Sequence, residues 1–179
     1  GRYHAAARSA GLVRFLLVVV NFKGVPMISA LYSRGDFAGL DRIARHTTRL
    51  AFWPSAAAGL CLCLLAEPVL GWFGGDYAQA VPVIGILVAA HLVGASLGPV
   101  GAVLNFTGLH WESGWIYGWC AAVNLVLNLL LIPRFGIEGA AAATATSVIL
   151  RAVWAHHLVR KHLKINTFVL ARRRKNNGR

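Results

Sequence analysis

Charged residues are scarce in this chain, and their scarcity is the first guide to its class. Only 13% of the 179 residues are charged, whereas 57% are hydrophobic. A soluble domain usually carries about 25% charged residues. Together with a mean hydropathy of +0.59, this shortfall indicates a membrane protein.

Acidic residues are the scarcest of the charged types, with 6 against 18 lysines and arginines. The resulting net charge of +12 could suggest nucleic-acid binding, which uses a basic stripe on a polar domain. Here the basic residues cluster in short stretches between or after apolar runs. We therefore expect no nucleic-acid partner.

Cysteine is also rare, and its placement argues against a metal site. Cys61, Cys63 and Cys120 all lie in apolar runs, with no histidine or second cysteine pair near them in sequence. Such cysteines usually behave as small buried hydrophobes. We expect no metal and no cofactor.

Long apolar runs fill most of the chain. A helix needs about 20 apolar residues to cross the hydrocarbon core of a bilayer. No run alternates with period two, so closed barrels are not indicated. The sequence predicts an all-α polytopic membrane protein whose five transmembrane helices cover about 6–31, 48–73, 79–104, 113–133 and 137–160.

The orientation follows from the basic residues of the short connections. The connection 34–49 holds four arginines, the tail 167–179 is strongly basic, and the connection 71–80 holds no lysine or arginine. Five spans place the first connection and the tail on one side, so we expect both, and the C-terminus, in the cytoplasm. The 34–49 stretch reads equally as a short helix on anionic headgroups or as a solvated loop.

Basic side chains inside the first predicted span are the sharpest functional signal. Arg8, Arg14 and Lys23 lie within it, and Asn21 falls on the Arg14 side of the helix. A charge at the centre of a membrane helix costs about 2.5–3.5 kcal/mol on insertion scales. These side chains are candidates to line a water-filled path for an anionic substrate, or to pair with another part of the protein.

Amides and small residues mark the last two predicted spans. Asn124 and Asn128 are four residues apart and share one helix face. They could hydrogen-bond between helices, or they could line a wet cavity and bind a substrate. Gly139, Ala143 and Ser147 form a face of small residues on which another helix can pack closely.

Two further pairs of glycines have the same four-residue spacing, Gly94 with Gly98 and Gly114 with Gly118, and predict close helix contacts. His91 lies in the middle of the third predicted span. It reads as a hydrogen-bonded core histidine or as a proton relay. Tryptophans near predicted span ends suit anchoring at the membrane surface: Trp53, Trp72, Trp111 and Trp115.

Several motifs occur in a recognisable order along the chain. They are "GRYHAAAR" opening the first span, "LYSRGD" at its end, "FGGDYAQA" and "LNFTG" at later turns, and "NLVLNLLLIPRFGIEGAAAATATS". The chain resembles the polysaccharide-export flippases of the multidrug/oligosaccharidyl-lipid/polysaccharide superfamily. The resemblance extends to about residue 166.

The resemblance implies a two-lobed transporter of the inner (plasma) membrane that moves undecaprenyl-diphosphate-linked oligosaccharides outward by alternating access. Residues 1–166 would form most of its C-terminal lobe, and the N-terminal lobe would precede them in a longer protein. The resemblance also implies that the Pro133–Gly136 turn joins two closely packed helices. The expected partners are the bilayer, the lipid-linked sugar and the missing lobe.

Two other functions stay open from the residues. A cation-coupled drug antiporter of the same superfamily would favour an acidic residue within a span, and Glu67 is the nearest, close to a span end. A membrane glycosyltransferase or ligase would need catalytic groups on an external loop. The external loops offer only Asp76, Arg134 and Glu138, which form no catalytic constellation, so we expect a protein that is not an enzyme.

Overall fold

The computed structural model describes residues 27–72 and 81–170, with the side chains of 27–66 and 81–170. Most of these residues are α-helical, and none of them forms a strand. The described part of α1 covers residues 27–33. It is followed by α2 (Phe37–Trp72), α3 (Val81–Leu97), α4 (Val100–Phe106) and α5 (His110–Leu163). The predicted all-α class is confirmed.

Within the described residues, α2 and α5 are each long and apolar enough to cross a membrane, and α3 with α4 makes a third candidate if the bent pair counts as one span. The polytopic membrane class is thereby confirmed. The first predicted span, 6–31, lies mostly outside the described residues. The count of five spans and their bounds stay predictions.

Helix α5 is a hairpin of two antiparallel arms. Gly136, with φ 55° and ψ −129°, interrupts the 54-residue helix three residues after Pro133. A Cβ on Gly139 would overlap the carbonyl of Leu131, and the Asn124 amide reaches the Ser147 hydroxyl. Such contacts require the chain to fold back at Gly136. Each arm is about 39 Å long, enough to cross a hydrocarbon core of about 30 Å.

Small side chains let the two arms approach closely. The face of the second arm toward the first carries Gly139 and Ser147, with the buried Ala143 between them at four-residue spacing. The buried Ala141 packs instead among residues of α2 and α3. Lipid supplies no hydrophobic force between helices, so close packing of small residues is the main source of association. The predicted helix hairpin and its small-residue contact face are therefore present.

The apolar run that reads as the third span is broken near its end. Gly98, with φ 84°, and Pro99 separate α3 from α4, and the two helices are bent by 47°. Pro99 has no N–H to continue the helix, and glycine adopts a positive φ without strain.

Helix α2 begins where Asp36 accepts a hydrogen bond from the Gly39 N–H at 2.7 Å, as an N-terminal cap does. The arginine-containing stretch is helical from Phe37 and continuous with α2. Two groups of buried residues hold the helices together. One joins α1, α2, α4 and α5 around Leu40, Leu104 and Val159, and the other joins α2, α3 and α5.

Beyond α5 the chain reverses at Lys164, which has φ 54°, and continues as a non-helical segment, residues 164–170. Its side chains alternate between buried and more exposed, with Ile165, Thr167 and Val169 inside. The composition assigns 167–170 to the basic tail, but the structure bonds Thr167 and Val169 to α2 and α3. Successive side chains of an extended segment point to opposite sides, which gives this segment one buried face.

Candidate functional site

The four candidate residues of the first predicted span cannot be placed. Arg8, Arg14, Asn21 and Lys23 all lie outside the described residues. Their roles stay predictions. The remaining candidates, Asn124, Asn128 and His91, lie on α5 and α3.

The two asparagines form one hydrogen-bonded group between the arms of the α5 hairpin. Asn124 Nδ2 donates to Ser147 Oγ on the opposite arm at 3.0 Å. Asn128 Nδ2 donates to both the carbonyl and the Oδ1 of Asn124, each at 2.9 Å. Ser147 in turn donates to the carbonyl of Thr144 at 2.9 Å.

This geometry gives the asparagines an interhelical role. The Asn124 amide joins the two arms directly, and Asn128 fixes the orientation of Asn124. A bond of this kind in a bilayer contributes about 0.6 kcal/mol on average and up to about 1.7 kcal/mol. Of the two roles left open by the sequence, the structure supports the contact between helices, because each of these amides has a hydrogen-bond partner within the hairpin.

Arg151 is the unexpected member of the hairpin. It lies on the second arm, about 22 Å along the helix from Gly136 and about 18 Å from Leu163. Its side chain is half-buried, and its guanidinium carbon lies 5.1 Å from the centre of the Tyr117 ring on the first arm. A cation over an aromatic face gains about 2 kcal/mol or more when it is desolvated.

No carboxylate among the described residues pairs with Arg151. The ion pair that the described residues form joins Asp41 and Arg45, both on α2. The other acids whose side chains are described lie at or next to helix ends or the Gly136 break: Asp36, Glu112 and Glu138. Arg151 therefore keeps donors for a further acceptor. Arginine offers five N–H groups in a planar fork, which suits phosphate and carboxylate oxygens.

The sequence does not single out Arg151, which falls in the second half of the predicted span 137–160. In the structure the helix extends to Leu163, and its last turn carries Arg160, Lys161 and His162. Arg151 therefore lies farther from the helix end than the predicted span implies. Counting from the Pro-Arg-Phe-Gly turn would have found it, because about 22 Å of helix places a residue well inside the hydrocarbon core.

The expectation for the cysteines holds only in part. Cys120 is buried, as expected, on the first arm of the hairpin, whereas Cys61 is exposed and Cys63 half-buried. Cys61 lies on a face of α2 that also exposes Leu60, Leu64 and Leu65. This face has no cover within the described part of the chain. An apolar exposed cysteine on such a face is compatible with lipid contact.

The glycine pairs and His91 differ in their surroundings. His91 is half-buried in the middle of α3 and has an interaction partner. A Cβ on Gly114 or Gly118 would meet nothing within 4 Å, so the predicted close helix contact is not found among the described residues. These two glycines instead lie in an open groove of about 460 Å³ lined also by Trp111, Trp115, Trp119 and Ala122.

Comparison with known proteins gives one similarity. The chain is 37% identical over 100 residues, or 55% of its length, to the uncharacterized membrane protein YabM of Bacillus subtilis (strain 168). The similarity covers 18% of that relative, so the chain spans much less than the whole of it. No family model matches the chain, and no solved structure matches it.

The similarity and the apolar helices agree on the class of protein. The relative is named as a membrane protein, and the described helices are long and apolar enough to span a bilayer. The chain is therefore a multi-pass membrane protein.

Proposed function

We propose that the chain is part of a flippase that carries lipid-linked oligosaccharides across the inner (plasma) membrane for cell-surface polysaccharide synthesis. In this proposal the C-terminus faces the cytoplasm, the missing N-terminal lobe completes the cavity, and the protein transports rather than catalyses. The substrate class is an undecaprenyl-diphosphate-linked sugar. The ordered sequence motifs support the family, and the charge pattern supports the substrate.

The observation that carries the proposal is Arg151. A half-buried cation in the middle of a membrane hairpin needs a water-filled path or an anionic partner, since facing lipid is costly. Its aromatic neighbour, Tyr117, holds the guanidinium in place without neutralising it. A diphosphate offers the oxygen atoms that such a fork binds well. Arg14 and Lys23 of the first predicted span would add positive charge to the same substrate path.

The distribution of acids disfavours the antiporter. Coupling to protons or sodium calls for a carboxylate inside the helical bundle. In the part of the chain that the structure describes, Asp36, Asp41, Glu112 and Glu138 lie within about one turn of a helix end or of the hairpin break, and Glu67 lies five residues before Trp72, the last described residue of α2. The interior charge is basic instead, which favours an anionic substrate.

The test is a pair of substitutions at the native locus, Arg151→Gln and Arg151→Lys. We expect Arg151→Gln to lower surface polysaccharide at least about tenfold, because the loss of a charge-assisted hydrogen bond of about 1.5–3 kcal/mol has that order of effect. Arg151→Lys keeps the charge but not the planar fork, so export should fall less. Surface polysaccharide and membrane abundance are measured together.

Arg160→Gln is the matched control, because Arg160 is exposed in the last turn of the same helix. It should leave export unchanged. Normal export from Arg151→Gln at normal abundance would reject the role of Arg151. Equal loss of export and abundance would assign Arg151 to folding.

A further inference from the structure

The 164–170 segment caps the broken end of α3. The Val169 N–H donates to the Ser96 carbonyl at 2.9 Å, and the Thr167 hydroxyl donates to the Leu97 carbonyl at 2.6 Å. The last four carbonyls of a helix lack partners within the helix. The segment thus supplies partners for two carbonyls that the break at Pro99 leaves open.

The same segment is bound on its other side by α2. The Thr48 hydroxyl lies 2.9 Å from the Thr167 carbonyl and 2.7 Å from the Ala44 carbonyl, so its single proton serves one of them at a time. Arg49 Nε donates to the Val169 carbonyl at 3.2 Å. Asp41 Oδ1 accepts from the Asn166 N–H at 3.0 Å. The segment therefore bridges α2 and the α3–α4 break through its backbone.

Thr167 is the centre of this bridge and has no exposed surface. Its hydroxyl has one proton and gives it to Leu97. His156 Nδ1, 2.9 Å from the same oxygen, must then be the donor to Thr167. The side chain thus joins α3 and α5, and its carbonyl lies beside the Thr48 hydroxyl of α2.

A continuous α3–α4 helix would need the same carbonyls. In an α-helix each N–H bonds the carbonyl four residues earlier, so Val100 would bond Ser96 and Gly101 would bond Leu97. In the bent form the Val100 N–H instead donates to the Gly98 carbonyl at 2.8 Å. The segment and a straight helix would therefore place different donors on the same two acceptors.

The packing around Gly98 also depends on the bent, segment-bound form. A Cβ there would overlap the Thr48 hydroxyl and lie 3.1 Å from the Thr167 carbonyl, and its φ of +84° strains any other residue. The close approach of α2, the break and the segment therefore requires glycine at this position.

We propose that the 164–170 segment is a strap that holds the α3–α4 helix bent at Gly98–Pro99, and that release of the strap lets the helix become continuous. The two forms differ in the donors at the Ser96 and Leu97 carbonyls, which come from the strap in the bent form and from Val100 and Gly101 in the straight form. This two-state element is independent of the substrate that the protein carries.

The experiment measures strap release as thiol accessibility. Val169→Cys is introduced into the full chain with Cys61, Cys63 and Cys120 replaced by alanine, and the protein is placed in nanodiscs. Val169 is 5% exposed, so labelling by a polyethylene-glycol maleimide should be slow. Folding of every variant is checked by monodisperse elution in size-exclusion chromatography.

Two substitutions should raise the labelling rate by different routes. Thr167→Val removes the bond to Leu97 and should raise it by a factor of about 3–10. Pro99→Ala does not remove a bond of the strap. It supplies an N–H for the Ala95 carbonyl and so favours the continuous helix, and it should raise labelling by a similar factor of about 3–10.

Thr146→Val and Pro82→Ala are the matched controls. The Thr146 hydroxyl is exposed and bonds within its own helix, and Pro82 lies in the first turn of α3, where proline is tolerated. Neither should change the rate. If Pro99→Ala does not fold, Gly98→Ala replaces it, because the added Cβ also opposes the strapped form.

Faster labelling with Thr167→Val and Pro99→Ala, and not with the controls, supports the strap. An unchanged rate in Pro99→Ala overturns the link between the strap and the bent helix. An unchanged rate in Thr167→Val overturns the strap itself. A rise in the controls equal to that in the test variants would mean general loosening and would also overturn the assignment.

Discussion

Polar side chains inside the apolar helices bond mostly to backbone or to one another. The hydroxyls of Thr107 and Thr144 donate to carbonyls one turn earlier, and Asn124 reaches across the hairpin. Within the described residues, the hydroxyl of Ser55 is the buried side-chain group without a partner. An unpaired polar group is costly where water is absent, which explains why the paired pattern dominates.

Asn124→Ala tests the bond between the hairpin arms. It removes the donor to Ser147 and the acceptor for Asn128, so we expect a loss of stability of about 0.6–1.7 kcal/mol. The measurement is the free energy of unfolding in mild detergent. Asn105→Ala, at an exposed position on α4, should change it by less than about 0.5 kcal/mol. Equal effects of the two substitutions would contradict the interhelical role.

At this scale the sequence predicted the asparagine pair, because four-residue spacing in an apolar run places two amides on one face. It did not predict the importance of Thr167. A single threonine beside a basic tail carries no pattern of its own, and its partners Thr48 and Leu97 are far away in sequence. Their meeting depends on how three helices pack.

The α5 hairpin depends on one backbone conformation. Gly136 adopts φ 55° and ψ −129°, a region that other residues enter only at a cost of about 1–3 kcal/mol. A Cβ at Gly136 would meet nothing within 4 Å. Any penalty from adding one methyl group would therefore come from the backbone alone.

Gly136→Ala is therefore expected to destabilise the protein by about 1–3 kcal/mol. Gly114→Ala is the matched control, because its Cβ also meets open space but its backbone is helical. It should raise stability by up to about 1 kcal/mol, because alanine is the better helix former. Thermal unfolding followed by size-exclusion chromatography compares the two. A Gly136→Ala variant as stable as the control would show that the tight turn is not required.

Among the elements, the hairpin was predictable because proline, glycine and a run of small residues occur together at the turn. The break between α3 and α4 had a signal too, the Gly98-Pro99 dipeptide, which the uninterrupted apolar run around it obscured. The strap had no such signal, because Phe168 and Leu170 on its more exposed side are as apolar as Ile165 and Val169 on its buried side. Its packing depends on α2 and α3, which are far away in sequence.

The described helices leave broad apolar surfaces uncovered. On α2, Leu60 and Leu64 are 62% and 70% exposed, and on the first arm of α5, Leu125 and Leu129 are 62% and 68% exposed. Surfaces of this kind face lipid or a further set of helices in a membrane protein. The proposed N-terminal lobe and the bilayer would share them, with the Arg151 side of the hairpin toward the substrate path.

Reconstitution tests the central claim most directly. The gene product that carries this chain is placed in liposomes with a fluorescent undecaprenyl-diphosphate oligosaccharide, and the fraction of sugar reached by an external lectin is followed over time. We predict protein-dependent translocation that Arg151→Gln slows and Arg160→Gln does not. Folded protein that moves no lipid-linked sugar, or that moves an organic cation instead, would contradict the proposed flippase.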